Sequence, residues 1–209
     1  MAIKLYDYYR SSASYRVRAA LNLKGLSYER VDLNLVDGAQ KKPDHVARNP
    51  QAFVPTLEAD GTTISQSLAI IDWLDSRYPT PRLIPHDPEK RAKALSETMV
   101  IVADIHPVNN LRILQYLKKN FRASQEQVDE WYRHWITEGF TALEAMAPDS
   151  GFFGGAQPNI TDICLVPQMY NALRFETQVD AFPKLLRIDE ACRAIDAIVM
   201  ASPEAVNLK

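Results

Sequence analysis

A strand, a helix and a second strand fit inside the first 35 residues, and that crowding restricts the fold more than any other feature of the chain. "IKLYDY" (Ile3 to Tyr8) alternates apolar and polar side chains and reads as a strand. "YRVRAALNLKG" reads as a helix. Val17, Ala20, Leu21 and Leu23 share one face, Arg16, Arg18 and Lys24 are expected mostly off it, and Gly25 ends it. "YERVDLNL" (Tyr28 to Leu35) is the second strand. A helix between two strands at this spacing makes a βαβ unit, which implies a parallel pair joined by a right-handed crossover.

Past a polar loop, "FVPTLEADGTTISQS" carries two short strands around the turn signal Asp60-Gly61. Pro55 stands just inside the first of them. Proline removes a ladder donor, so this position calls for an edge or a special bond. A cis Val54–Pro55 bond would leave the backbone of Val54 to pair with a ligand. "QSLAIIDWLDSRYP" is a helix with Leu68, Ile71 and Leu74 or Trp73 inward. The order βαβ then ββα is that of a thioredoxin-like domain.

"PTPRLIPHDP" then forms a stiff, proline-rich joint. The boundary is placed there, with residues 1–82 as the first domain and 83–209 as the second. No strand pattern follows. Residues 89–119 read as one long helix bent at Pro107, and 124–146 as another. "SGFFGGAQP" is a loop. Asn159 opens a helix, with Asp162 at the third helical position to reciprocate the cap. Pro167 is expected to bend that helix or to fall near a buried turn. "FPKLLRIDEACRAIDAIVM" is a last amphipathic helix. The fold class is therefore α/β followed by all-α, a thioredoxin-like domain and then an all-helical one.

Composition narrows the partners. The chain has 209 residues, 46% of them apolar, and a net charge of -2. That charge argues against nucleic acid or an anionic membrane as partner, since both select a basic surface. No apolar run is long enough to span a bilayer. The N-terminal residues carry no secretory pattern, so the cytoplasm is the expected location. Cys164 and Cys192 fall in helical patterns and read as buried free thiols rather than a disulfide or metal site.

The segment "YRSSASYR" (Tyr9 to Arg16) carries the chemistry. Ser11, Ser12 and Ser14 sit between two arginines, with no histidine, acid or lysine among them to act as a base. Helix capping is one reading, with Ser14 the best candidate for it. Gln66 and Ser67 at the start of another helix allow the same reading.

A thioredoxin-like domain, a proline-rich joint and a helical domain in this order resemble the cytosolic glutathione transferases. Four stretches narrow the resemblance to the zeta class. "YYRSSASYRVRAALNLKG" is similar to its serine motif, and "VPTL" followed by "QSLAIIDWL" to its γ-glutamyl pocket. "DIHPVNNLRILQYL" (Asp104 to Leu117) and "LVPQMYNALRF" resemble its second-domain helices. The class contains maleylacetoacetate isomerase and its bacterial relative maleylpyruvate isomerase. Its motif has a cysteine where this chain has Ala13, so that thiol cannot be required here.

The resemblance implies that glutathione is the cofactor and that its own thiol is the nucleophile. A free thiol titrates at about 8.5. Ser11 and Ser12, with the helix start at Ser14 and Tyr15, would favour the thiolate through hydrogen bonds and the helix dipole, and Ala13 and Ser14 would also contact glutathione. Val54, held by Pro55, would pair with the cysteinyl amide. Gln66 and Ser67 would take the γ-glutamyl carboxylate, and Gln40 the glycyl end. Asn109 and Asn110 match second-domain polar contacts, although a solvated helix face is the plainer reading. Arg10, His106, Arg112 and Arg174 would hold a small dicarboxylate substrate. The implied reaction is thiolate addition to the activated double bond, rotation, and expulsion of the thiolate. A homodimer is implied too, with Asp104 able to serve the partner's site. Maleylpyruvate turnover, transfer to small α-halo acids, and a fold kept only for binding or assembly remain alternatives.

Overall fold

The structure is a computed structural model and describes residues 2–207. The chain divides into two compact units. One runs up to Leu83 and also takes in the segment from Ala194 onward, and the other is Ile84–Arg193. The sequence places residues 83–209 in the helical domain, whereas in the structure residues 194–207 cluster with the first unit.

In the first unit, β1 (Lys4–Asp7), α1 (Ser12–Leu23) and β2 (Glu29–Asp32) form the expected βαβ element, with β1 and β2 parallel. α2 (Pro43–Arg48) follows, then β3 (Thr56–Ala59), β4 (Thr62–Ser65) and α3 (Ser67–Arg77). The sheet order is β2-β1-β3-β4, with β3 antiparallel to both neighbours. Leu5 and Leu57 pair across the sheet and, like Val17, Leu21, Ile70, Ile71 and Leu74, lie in the core. Ile70 is therefore an inward residue of α3, while Leu68 and Trp73 are only half-buried.

Two expectations about charge need correcting. Arg16 and Arg18 are fully buried rather than off the packed face. The Lys24 side chain is also enclosed, because it bonds to Asp75 and to the carbonyls of Tyr78 and Pro81, tying α1 to the residues that end this unit. The tail segment is held in the same way. α9 (Asp196–Val199) and α10 (Pro203–Val206) are short, and carbonyls in them and in the turn between them accept side-chain donors from α1 and β2. Arg18 Nε reaches Ala201 O at 2.8 Å, Asn22 Nδ2 reaches Ala197 O at 2.9 Å, and Arg30 Nη1 reaches Val206 O at 2.7 Å.

The second unit contains α4 (Pro88–Met99), α5 (Leu111–Phe121), α6 (Gln125–Met146), α7 (Ile160–Arg174) and α8 (Pro183–Arg193). The expected helix over 89–119 is two helices. α4 widens into a π turn over Val100–Ile105, where His106 N bonds Ile101 O five residues back. The chain then breaks before Asn110 caps α5 through Arg112 N. α7 opens on the expected box, in which Asn159 accepts from Thr161 N and Asp162 accepts from Asn159 N. Pro167 lies inside α7, which continues through it. The expected last helix is split into α8 and α9. Cys164 and Cys192 are buried free thiols.

Candidate active site

Sheet register decides which loops of the first unit meet. Tyr6 pairs with Thr56, and Thr56 with Ser65. The end of β1, the start of β3 and the end of β4 therefore share one edge of the sheet. From that edge run the serine segment, Val54–Pro55 and Gln66–Ser67, the three stretches singled out in the sequence. β2 is parallel to β1, so the connection bearing Gln40 leaves from the same edge.

α1 begins earlier than expected. Ser11, not Ser14, is its N-cap: the Ser11 hydroxyl oxygen accepts from Ser14 N at 3.2 Å, and its carbonyl accepts from Tyr15 N at 2.8 Å. Capping uses the oxygen of Ser11 as acceptor and leaves its hydroxyl proton to donate elsewhere. Ser11 is half-buried and Ser12 is 8% exposed. Ser14 is fully buried, and its Oγ has no partner among the described residues. The Ala13 N–H, at the second helical position, has no intrahelical acceptor.

The residues before Ser11 are fixed from below. Arg18 Nη1 bonds both carboxylate oxygens of Asp7 at 2.8 and 2.9 Å, and its Nη2 bonds Tyr9 O at 3.0 Å. Arg30 Nε takes the same carboxylate at 2.8 Å. Arg10 is exposed, its guanidinium carbon 5.1 Å over the Tyr9 ring.

The Val54–Pro55 bond is cis, and Val54 lies outside the β3 ladder. The loop ahead of it is clamped by α2, which the sequence presents as part of a polar loop. His45 Nε2 meets Phe53 O at 2.8 Å, and Asn49 Nδ2 reaches both Phe53 O at 3.0 Å and Thr56 Oγ1 at 3.2 Å. A carbonyl only accepts, so Nε2 carries the ring proton. Pro43 at the helix start and Asp44 in the first turn are the available signals for α2. Nothing in the sequence singles out His45 or Asn49 as buried anchors.

α3 opens without a side-chain cap. Gln66 holds φ 69, a region few non-glycine residues occupy, and its side chain donates to Gln51 Oε1 at 2.7 Å. The first amides of α3 therefore lack a capping acceptor, and Ser67, 6% exposed, stands at their head. Such an end suits an anion. Gln40 lies in the tight turn Ala39–Lys41, and its Oε1 is buried with no partner among the described residues.

In the second unit one of the expected residues, Asn109, is held by α6. Asn109 is buried rather than solvated, and its Nδ2 donates to Tyr132 O at 3.0 Å. Asn110 serves as the α5 cap. His106 is half-buried at the end of the π turn, and Arg112 is exposed in the first turn of α5. Arg174 is exposed at the end of α7, with its guanidinium carbon 4.8 Å over the Phe175 ring. The sequence gives no sign that Tyr132 anchors Asn109.

Residues 5–82 match the family model of the glutathione S-transferase N-terminal domain. A probable maleylacetoacetate isomerase of Vibrio cholerae is 43% identical over 208 residues, covering 98% of this chain and 97% of that one. A solved maleylpyruvate isomerase, described as a bacterial zeta-class glutathione transferase, superposes with a TM-score of 0.94 at 40% identity and covers 97% of each chain. The chain belongs to the zeta class of glutathione transferases. Another solved neighbour, a maleylacetoacetate isomerase of Methylobacterium extorquens with malonate and glutathione bound, is 37% identical with a TM-score of 0.92 over 97% of each chain. The thioredoxin-like domain, its mixed four-stranded sheet and the helices after it are those expected of the class.

Proposed function

We propose that this zeta-class chain converts maleylacetoacetate to fumarylacetoacetate, with glutathione as a cofactor that is regenerated. The geometry of Ser11 carries the reading. Its oxygen is occupied by the helix it caps, so its proton is directed to a ligand and the residue acts as a donor, not a nucleophile. Two helix starts in the first unit fit two of the three anionic groups of the tripeptide, the γ-glutamyl carboxylate and the thiolate. The uncapped start of α3 with Ser67 suits the γ-glutamyl carboxylate. The start of α1, with the Ala13 amide and the hydroxyls of Ser11 and Ser12, suits a sulfur anion.

When bound, glutathione supplies the sulfur that adds to the double bond, permits rotation and leaves. The chain's own task is to keep that sulfur anionic and to hold the substrate. Each unit by which the thiol's pKa falls is worth about 1.4 kcal/mol, so one or two hydrogen bonds from Ser11 and Ser12 make most of the thiol reactive at neutral pH. Val54 pairs with the cysteinyl amide, Gln66 supports the γ-glutamyl end and Gln40 the glycyl end. Asn109 and Asn110 shape the second unit's polar contacts. Arg10, His106, Arg112 and Arg174 hold the substrate carboxylates and meet the charge that develops on its carbonyl oxygen. Residues 1–82 are thus the glutathione domain and the helices after them the substrate domain. The working form is a cytoplasmic homodimer.

Maleylpyruvate is the second candidate substrate, supported by the close match to the solved maleylpyruvate isomerase. The test is isomerisation of each acid with and without glutathione, followed by Ser11→Ala and Ser12→Ala. The reading expects strict dependence on glutathione and a loss of about tenfold or more in at least one serine variant. Equal turnover without the tripeptide, or net consumption of glutathione into a conjugate, contradicts it.

A further inference from the structure

One face of α1 rests on a segment from the far end of the chain. Tyr15, Arg18 and Asn22 follow at steps of three and four, so they share that face. Tyr15 Oη donates to Ile198 O at 3.5 Å, Arg18 Nε to Ala201 O at 2.8 Å, and Asn22 Nδ2 to Ala197 O at 2.9 Å. Arg18 stands in the middle, with its guanidinium carbon 5.5 Å over the Tyr15 ring. Its other donors turn toward the serine segment. Nη1 takes both carboxylate oxygens of Asp7 and reaches Tyr8 O at 3.5 Å, and Nη2 donates to Tyr9 O at 3.0 Å. One rigid group thus joins Ala201 to the two carbonyls that lead into Arg10 and Ser11. We propose that Arg18 is a positioning residue for the glutathione thiolate: braced on the α9–α10 segment, it sets where the start of α1 and the residues ahead of Ser11 stand relative to the sulfur.

Donors hold a sulfur anion only at the right length and angle, and misplacement by about 1 Å can cost about a hundredfold in rate. Arg18 is fully buried one turn beyond Ser14, so it touches no ligand. Its effect passes through the backbone of Tyr8 and Tyr9 and through the placement of the helix. The planar fork is what this task needs, because its acceptors lie along different edges. A lysine ammonium is a compact point charge: it can keep the ion pair with Asp7 but not the grip on Tyr9 and Ala201 together.

The inference rests on reading the start of α1 as the place of the thiolate. Its test is Arg18→Lys, which keeps the charge beside Asp7 and removes the fork. Thiolate absorbance is followed against pH with glutathione bound, and S-methylglutathione, which has no thiol to ionise, is titrated by calorimetry. We expect the pH of half-ionisation to rise by about one unit, and kcat to fall about tenfold at neutral pH and recover in part at higher pH. S-methylglutathione affinity is expected to stay within about twofold, since the α3 start and Val54 are untouched. Asn22→Ala loosens the same segment without altering Arg18, and is expected to raise the half-ionisation by a smaller step. An unchanged half-ionisation in Arg18→Lys, or an equal loss of S-methylglutathione affinity, overturns the assignment. If Arg18→Lys does not fold, an unchanged value in Asn22→Ala overturns it. Ionisation of the bound thiol needs no turnover, so a parent protein that favours the thiolate without isomerising either acid defeats the proposed reaction and still tests Arg18.

Discussion

His45 Nε2 lies 2.8 Å from the carbonyl oxygen of Phe53, so α2 fixes the residue that precedes Val54. Asn49 reinforces the grip from the next turn of α2. His45→Ala and Asn49→Ala are expected to raise the KM for glutathione about five- to tenfold, the usual effect of losing one buried hydrogen bond. The pH at which the bound thiol ionises is expected to stay put, because the serine segment is untouched. Thiolate absorbance against pH, measured beside KM, separates the two effects.

Asp7 shares its carboxylate between Arg18 and Arg30 and is fully buried. Asp7→Ala strands the enclosed Arg18 charge. A loss of about 3–5 kcal/mol is expected, the usual penalty for breaking a buried pair from one side. Denaturant midpoints measure it. A variant within 1 kcal/mol of the parent would mean that the carbonyls of Tyr9 and Ala201 satisfy Arg18 on their own.

Asp162 accepts from three backbone amides, of Phe153, Gly154 and Asn159. Burial outweighs those donors and raises its pKa to about 6. Below about pH 4 this carboxyl is protonated in folded and unfolded chains alike. As pH rises towards 6, the folded chain keeps a proton that the unfolded chain has lost. The contribution to stability is therefore full below pH 4 and gone above 6, a fall of about 3 kcal/mol. Glu97, also raised by burial, adds with the same sign. Urea midpoints between pH 4 and 7 are expected to fall in the parent and to flatten in Asp162→Asn.

Gly139 lets α6 approach the π turn closely. A Cβ built there would collide with Ile105 Cδ1 and Cγ1, and Ile105 is itself buried. Gly139→Ala is expected to cost about 1–3 kcal/mol of stability by overpacking. Thermal unfolding checks it. A larger drop in activity than in stability would show that displacing the π turn also disturbs His106.

How much of this is visible in the sequence depends on how local the cause is. The helix start at Asn159 and Asp162 is readable because both partners of the box lie within four residues. The βαβ and ββα order is readable from alternation and turn residues. Arg16 and Arg18 are misleading, since the carboxylate and carbonyls that allow Arg18 to be buried come from β1 and from residues far along the chain. The π turn has no pattern of its own, because it is a local widening inside an apolar stretch that reads equally well as α-helix. The serine segment is readable as a place but not as an assignment of roles: a three-residue shift in the helix start moves the cap from Ser14 to Ser11.

The grip of α1 and β2 on the carbonyls of Ala197, Ala201 and Val206 has a practical consequence for dissecting the molecule. A fragment cut after the proline-rich joint would leave the donors of Arg18, Asn22 and Arg30 facing empty space or water. The thioredoxin-like half is therefore not excisable as a single stretch of chain: to obtain it intact, the closing peptide must be supplied in trans or grafted back by a linker.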